Sequence, residues 1–197
     1  VTALLISNVV LWVVVVTLVV VLLALTRQLG VLHERIAPAG ALMINRGPAV
    51  GELVAPLEVT DLEGRSLQIG APSPDGRSTL VVFVSPTCPV CKTLLPVIRA
   101  SHLQERDWLR LVLASDGEPQ EHLRFVQQQG LTGVPYVVSA QLGLGYQVNR
   151  LPFAALVDSG GVLRARGLVN SREHLESLFE AQRLGMASLQ EYFASRA

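Results

Sequence analysis

The chain has 197 residues, 16 basic and 16 acidic, with 50% hydrophobic residues and a mean hydropathy of +0.42, too apolar for a purely soluble chain. The balanced charge excludes an electrostatic grip on nucleic acid, and four scattered histidines with two cysteines exclude a disulfide-stapled mini-protein or a multi-cysteine metal or cluster framework. No charged residue occurs before Arg27, and beyond that point the charged share rises to about 19%, near that of an ordinary globular domain.

The first element is ALLISNVVLWVVVVTLVVVLLAL, the 23 residues Ala3 to Leu25. At about 1.5 Å per residue it matches the roughly 30 Å hydrocarbon core of a bilayer. Seventeen of these residues are Val, Leu or Ile. Each favours insertion by about 0.3–0.6 kcal/mol near the helix centre, enough together to outweigh Ser7, Asn8 and Thr17. A cleaved signal peptide wants a basic start, a shorter apolar core and a small-residue site close behind. Here the front is uncharged, and the first A-x-A, Ala37 to Ala39, lies a dozen residues beyond the core. Residues 1–26 are therefore read as an uncleaved transmembrane anchor that meets the lipid bilayer through residues 3–25. Arg27, Arg35 and Arg46 follow it, which by the positive-inside rule argues weakly for a cytoplasmic C-terminal domain. Residues 27–48, with Pro38, Gly40, Gly47 and Pro48, read as a juxtamembrane tether.

A domain over residues 49–184 follows. Leu53 to Ile69 gives two apolar runs around Asp61-Leu-Glu-Gly64, a hairpin signal. Ser78 to Val84, STLVVFV, is a β-branched run expected to be a buried central strand, and Leu109 to Ala114 another. Between them SPTCP leads into a helix. Pro119 and Gly130 bracket a second helix, with Leu123 and Val126 expected to face inward. Val134–Val138 and Phe153–Asp158 read as strands, and Ser159-Gly-Gly161 turns the chain into a last one over Val162–Gly167. Asn170 or Ser171 caps a final helix whose inward face carries Leu175, Leu178 and Phe179 and which Gly185 stops, leaving a tail over residues 185–197 with a short exposed helix. Strands alternating with helices, then a hairpin and a helix, predict an α/β sandwich with helices on both faces of a mixed sheet.

The two cysteines, Cys88 and Cys91, lie just after the central strand, where a helix begins. A C-x-x-C pair can reach disulfide geometry across one helical turn. The first thiol of such a pair feels the helix dipole and the unpaired N–H groups of the first turn, which favour thiolate and lower its pKa. Pro89 suits the first helical position, where its missing N–H costs nothing. On this reading Cys88 is the exposed attacking sulfur and Cys91, one turn in, resolves the mixed disulfide. Zinc would need two more ligands, and no two of His33, His102, His122 and His174 stand at ligand spacing. A purely structural disulfide over so short a loop removes little chain entropy, and two unrelated buried thiols would not explain the strand-to-helix position. Redox chemistry is the preferred reading, with no cofactor and no metal.

The strand followed by SPTCPVCK, with Lys92 after the second cysteine and Pro96 in the helix, resembles the active-site helix of the thioredoxin superfamily. YQVNRLPFAALVDSGGVLRARG, from Tyr146 to Gly167, is similar to the second half of its membrane-anchored branch. That resemblance implies a thioredoxin-like sandwich behind one N-terminal transmembrane helix. It also implies a cis-proline at Pro152, preceded by Leu151, whose backbone pairs with an extended substrate segment. Pro135 in GVPYVV is a rival for that position; Pro152 is preferred because the D-x-G-G turn and final helix follow it at the expected distance. VLHERIAPAGALM, SPTCPVCKTLLPV, LASDGEP, the LPFA strand and GLVNSREHLESLFEA extend the likeness along almost the whole chain, to methylamine dehydrogenase accessory proteins of the MauD type.

The resemblance implies a single-pass protein of the inner membrane whose domain faces the periplasm, against the charge count at the anchor. Its partner would be the methylamine dehydrogenase small (β) subunit, a disulfide-rich polypeptide, with a membrane redox partner recycling the cysteine pair. Around the cysteines, Thr87 stands where many relatives have Trp, and Val82 stands six residues before Cys88, where thioredoxin has a buried acid. Pro89-Val90 differs from the Pro-His of strong periplasmic oxidants, so an intermediate potential is expected. Thr87, Pro89 and Val90 are the supporting residues of the site. The leading function is a thiol–disulfide oxidoreductase that forms or reshuffles disulfides in the small subunit. A reductant for apocytochrome c and a chaperone-like escort are the alternatives; the P-x-x-x-T-x-x-C pattern of a peroxiredoxin is absent.

Overall fold

The computed structural model of the chain describes residues 6–8, 10–21 and 47–184. The chain divides into two compact units, Val1–Ile44 and Asn45–Ala197. In the first, residues 6–8 and 10–21 are helical (α1), and the Thr17 hydroxyl donates back to the Val13 carbonyl at 2.8 Å. No helix among the described residues is long and apolar enough to cross a membrane. Both ends of the expected 3–25 span, most of the tether and the 185–197 tail lie outside the described residues.

The second unit opens with a hairpin of β1 (Leu57–Thr60) and β2 (Ser66–Ile69), as the turn chemistry predicts. Asp61 organises the turn: its Oδ1 accepts the N–H groups of Glu63 and Arg65 at 3.0 and 2.8 Å, and its Oδ2 accepts the Arg65 guanidinium at 2.7 Å. Gly64 closes it with φ +83, a conformation that glycine adopts without a steric penalty. Burial alone would raise the Asp61 pKa, but these donors more than offset it and hold the carboxyl below its usual range.

A five-stranded mixed sheet follows, in the order β5-β4-β3-β6-β7. β3 (Ser78–Phe83) is buried along its whole length, as a β-branched run with sheet neighbours on both sides should be. It pairs in parallel with β4 (Leu109–Ser115) and antiparallel with β6 (Phe153–Val157). β5 (Tyr136–Val138) extends the parallel side and β7 (Leu163–Leu168) the antiparallel side. Side chains alternate across the sheet. Leu80, Val82 and Val84 join a core with α2 (Pro89–Glu105), Phe125 of α3 (Pro119–Gln128) and Leu175, Leu178 and Phe179 of α5 (Arg172–Leu184). Val81 and Phe83 join a second core with Val59 and Ile69 of the hairpin and Leu142 of α4 (Ala140–Gly145). Helices therefore cover both faces of a mixed sheet. The hairpin also reaches the β5 edge, where Asp61 bridges Val137 and the Leu62 N–H donates to the Tyr136 carbonyl at 2.9 Å.

Two expectations need correction. In α3 the inward face is His122 and Phe125, 1% and 3% exposed, with Val126 partly buried and packed against the same core as expected, while Leu123 turns outward and is 37% exposed. The His122 ring fixes that rotation, with Nδ1 2.9 Å from the Tyr136 hydroxyl and Nε2 2.9 Å from the Asp116 carbonyl. A carbonyl can only accept, so Nε2 carries a proton and donates it to Asp116. The strand expected from Val134 begins only at Tyr136, because Pro135 has no N–H to give to the ladder.

Candidate active site

Cys88 is the N-cap of α2, with φ −86 and ψ 111, and Pro89 follows in the first turn. The loop before it is tied by its own polar groups. The Cys88 N–H donates to the Ser85 carbonyl at 3.1 Å, the Thr87 N–H donates to Ser85 Oγ at 3.3 Å, and the Ser85 and Thr87 hydroxyls are 3.0 Å apart. Cys88 and Cys91 are disulfide-bonded, with Cα atoms 5.3 Å apart. The Cys91 N–H donates to Cys88 Sγ at 3.1 Å, so an unpaired donor of the first turn points at that sulfur. No acidic side chain occupies the first turn to oppose negative charge there.

The two sulfurs have different surroundings. Cys88 is partly exposed, and Val90 beside it is 44% exposed. Cys91 is fully buried in the core that holds Val82, Val84, Leu94 and Leu95. Val82 is itself fully buried, so the position of thioredoxin's buried acid is filled here by hydrocarbon. One sulfur can meet a partner, and the other cannot without the first.

The Leu151–Pro152 bond is cis, whereas the bond before Pro135 is trans. Pro152 is buried and its carbonyl accepts the Val169 N–H at 3.0 Å, while Leu151 is 37% exposed. Topology brings this segment to the cysteines: Phe153 opens β6 in register with Phe83, which closes β3 five residues before Cys88. The antiparallel pairing places the end of β3 and the start of β6 at one edge of the sheet, from which both the cysteine loop and the Leu151–Pro152 peptide emerge. Pro135 instead leads into β5, where its carbonyl accepts the Leu113 N–H at 2.9 Å.

A cleft of about 330 Å³ opens at the same edge, between the ends of β3 and β4 and helix α4, and Leu151 forms part of its wall. The sequence reading missed α4 and with it this cleft. The available signal was Ser139, whose hydroxyl accepts the Leu142 N–H at 3.2 Å as an N-cap, but the glycine-rich AQLGLG that follows hides so short a helix.

A partly exposed sulfur at a helix N-terminus, a buried second sulfur and a cis-proline at the same sheet edge make up the arrangement of a thiol–disulfide oxidoreductase. No protein-family model matches the chain. It is similar to StoA from Bacillus subtilis, with a TM-score of 0.55 and 23% identity over 67% of this chain and 99% of that one, a likeness that shows the thioredoxin-like fold. It is 45% identical over 190 residues to the methylamine utilization protein MauD of Paracoccus denitrificans, covering 96% of this chain and 94% of that protein. With MauD of Paracoccus versutus the identity is 46% over 195 residues, 99% of this chain and 97% of that protein. The chain belongs to the MauD family of methylamine utilization proteins.

Proposed function

We propose that this protein is a membrane-anchored thiol–disulfide oxidoreductase acting in disulfide formation and maturation of the methylamine dehydrogenase small subunit. The observation that carries this reading is the pairing of a helix-capping Cys88 with a fully buried Cys91, in a chain of the MauD family. Residues 1–26 serve as the anchor, 27–48 as the tether, 49–184 as the working domain and 185–197 as a tail. The domain faces the periplasm, because an oxidant has no standing role in a reducing cytosol, and this outweighs the arginines after the anchor.

In the oxidising direction a substrate thiolate attacks Cys88 Sγ, the Cys88–Cys91 bond breaks, and Cys91 leaves as a thiolate that takes a proton. A second substrate thiolate then attacks the substrate sulfur of the mixed disulfide, and Cys88 leaves as a thiolate that the N–H groups of the α2 first turn stabilise. Two electrons have passed to the cysteine pair, which a membrane redox partner re-oxidises. Leu151 and Pro152 offer backbone to the substrate segment, while Thr87, Pro89 and Val90 shape the surface around Cys88.

The test is a trap. With Cys91→Ser in the native host under methylamine growth, acid-quenched and purified without reductant, the partner linked to Cys88 is the dehydrogenase small subunit. Apocytochromes in its place would make the protein a general reductant, and an empty trap would point to an escort that does not use its cysteines.

A further inference from the structure

We propose that the cleft bordered by Leu151 is a specificity pocket, taking one apolar side chain from the polypeptide segment whose cysteine reacts with Cys88. The proposal rests on the thiol–disulfide reading and names what that site selects. Leu151 belongs to both places: it adjoins Pro152 at the sheet edge of the cysteines and it walls the cleft. Phe83, Ala140, Leu144 and Val148 add apolar lining, and Leu144 is 64% exposed, hydrocarbon left in water. At about 330 Å³ the cleft is at the small end of ligand sites, room for a side chain and too little for a dinucleotide or flavin.

Its polar lining has one charge of each sign. Asp116 and Arg150 are exposed, and among the described residues neither side chain has a hydrogen-bond or ion-pair partner, so the pocket selects by apolar fill and not by net charge. Val84 is four residues before Cys88 in the chain. An extended segment bonded to Cys88 and lying along Leu151–Pro152 meets the cleft at Leu151, the residue that both share, which puts the selected side chain a few residues from its own cysteine.

The probe is a set of glycine–serine peptides with a single cysteine linked to thionitrobenzoate, each carrying one Phe two or three residues before or after that cysteine, and a control without Phe. The reduced full chain in detergent reacts with each. Its two thiols become the Cys88–Cys91 disulfide, and the mixed disulfide is reduced to peptide thiol and coloured thionitrobenzoate. One Phe placement is expected to react about tenfold faster than the control. In Gly143→Phe that ratio falls to about one. A Cβ at Gly143 meets nothing within 4 Å, so the new ring fills the cleft from α4. If that variant does not fold, Leu144→Ser removes apolar wall at an exposed position and lowers the same ratio. Equal rates for every peptide, or a preference that survives the substitution, would overturn the pocket. No colour release from any peptide by the unmodified protein would instead overturn the thiol–disulfide reading itself.

Discussion

Phe83 and Phe153 are register partners across the β3–β6 pair, with ring centroids 6.2 Å apart. That rung fixes the site, because the loop to Cys88 leaves one end of it and the Leu151–Pro152 peptide enters the other. The sheet, and not the loops, sets where the disulfide and the Leu151–Pro152 backbone meet, which is how rigid scaffolds hold reactive loops in place.

When the pair runs in the reducing or reshuffling direction, where Cys91 and not a second substrate thiol resolves the Cys88 mixed disulfide, the burial of Cys91 among Val82, Val84, Leu94 and Leu95 is expected to set the pace. To attack the mixed disulfide the Cys91 thiol must ionise, and apolar surroundings disfavour the thiolate. No carboxylate among these neighbours takes the proton. The expected outcome is a resolution step that quickens about tenfold per pH unit between pH 6 and 8, read by stopped-flow decay of a preformed Cys88 mixed disulfide. A flat profile would show that another group serves as the base.

The midpoint potential follows from what does and does not stabilise the Cys88 thiolate. The helix N-terminus supports it, but Pro89-Val90 adds no histidine between the cysteines. Equilibration with glutathione should give a value between those of thioredoxin and of strong periplasmic oxidants, closer to an isomerase's roughly −180 mV; a value near about −270 mV would contradict this.

Asp61 makes the hairpin's stability depend on acid. Its carboxyl is held below the usual range in the folded chain, so the carboxylate's stabilisation is fully present above the unfolded pKa near 3.8 and is lost as pH falls through the lower folded value. Asp61→Asn should cost about 2 kcal/mol at pH 7 by denaturant unfolding. The difference from the unmodified protein should shrink below about pH 4. A cost that stays constant from pH 7 to pH 3 would mean that the ionised carboxylate contributes nothing beyond its shape.

Much of this fold was legible because its signals are local. The run STLVVFV could hardly be anything but a buried strand, Asp61 to Gly64 carries its own turn chemistry, and Leu175, Leu178 and Phe179 mark one face of α5 by spacing alone. Cys88 with Pro89 announces a helix start, which places a redox pair before any fold is known. What stayed hidden depends on contacts between distant residues. The rotation of α3 is set by His122 reaching Tyr136 on β5, and nothing in the helix's own pattern predicts that Leu123 turns outward. The β5 edge is covered by the hairpin through Leu62, a pairing that no local signal encodes. The cleft exists only because α4 packs Leu142 beneath the sheet and leaves Leu144 facing outward.

The most direct measurement is of the small subunit's thiols. In a host whose only copy carries Cys88→Ser and Cys91→Ser, shifted to methylamine, the small subunit is alkylated under acid quench and resolved without reductant. The expected result is a small subunit that keeps free thiols, together with loss of growth on methylamine. A fully disulfide-bonded small subunit and normal growth would contradict it, and would leave the protein a role that needs its fold but not its cysteines.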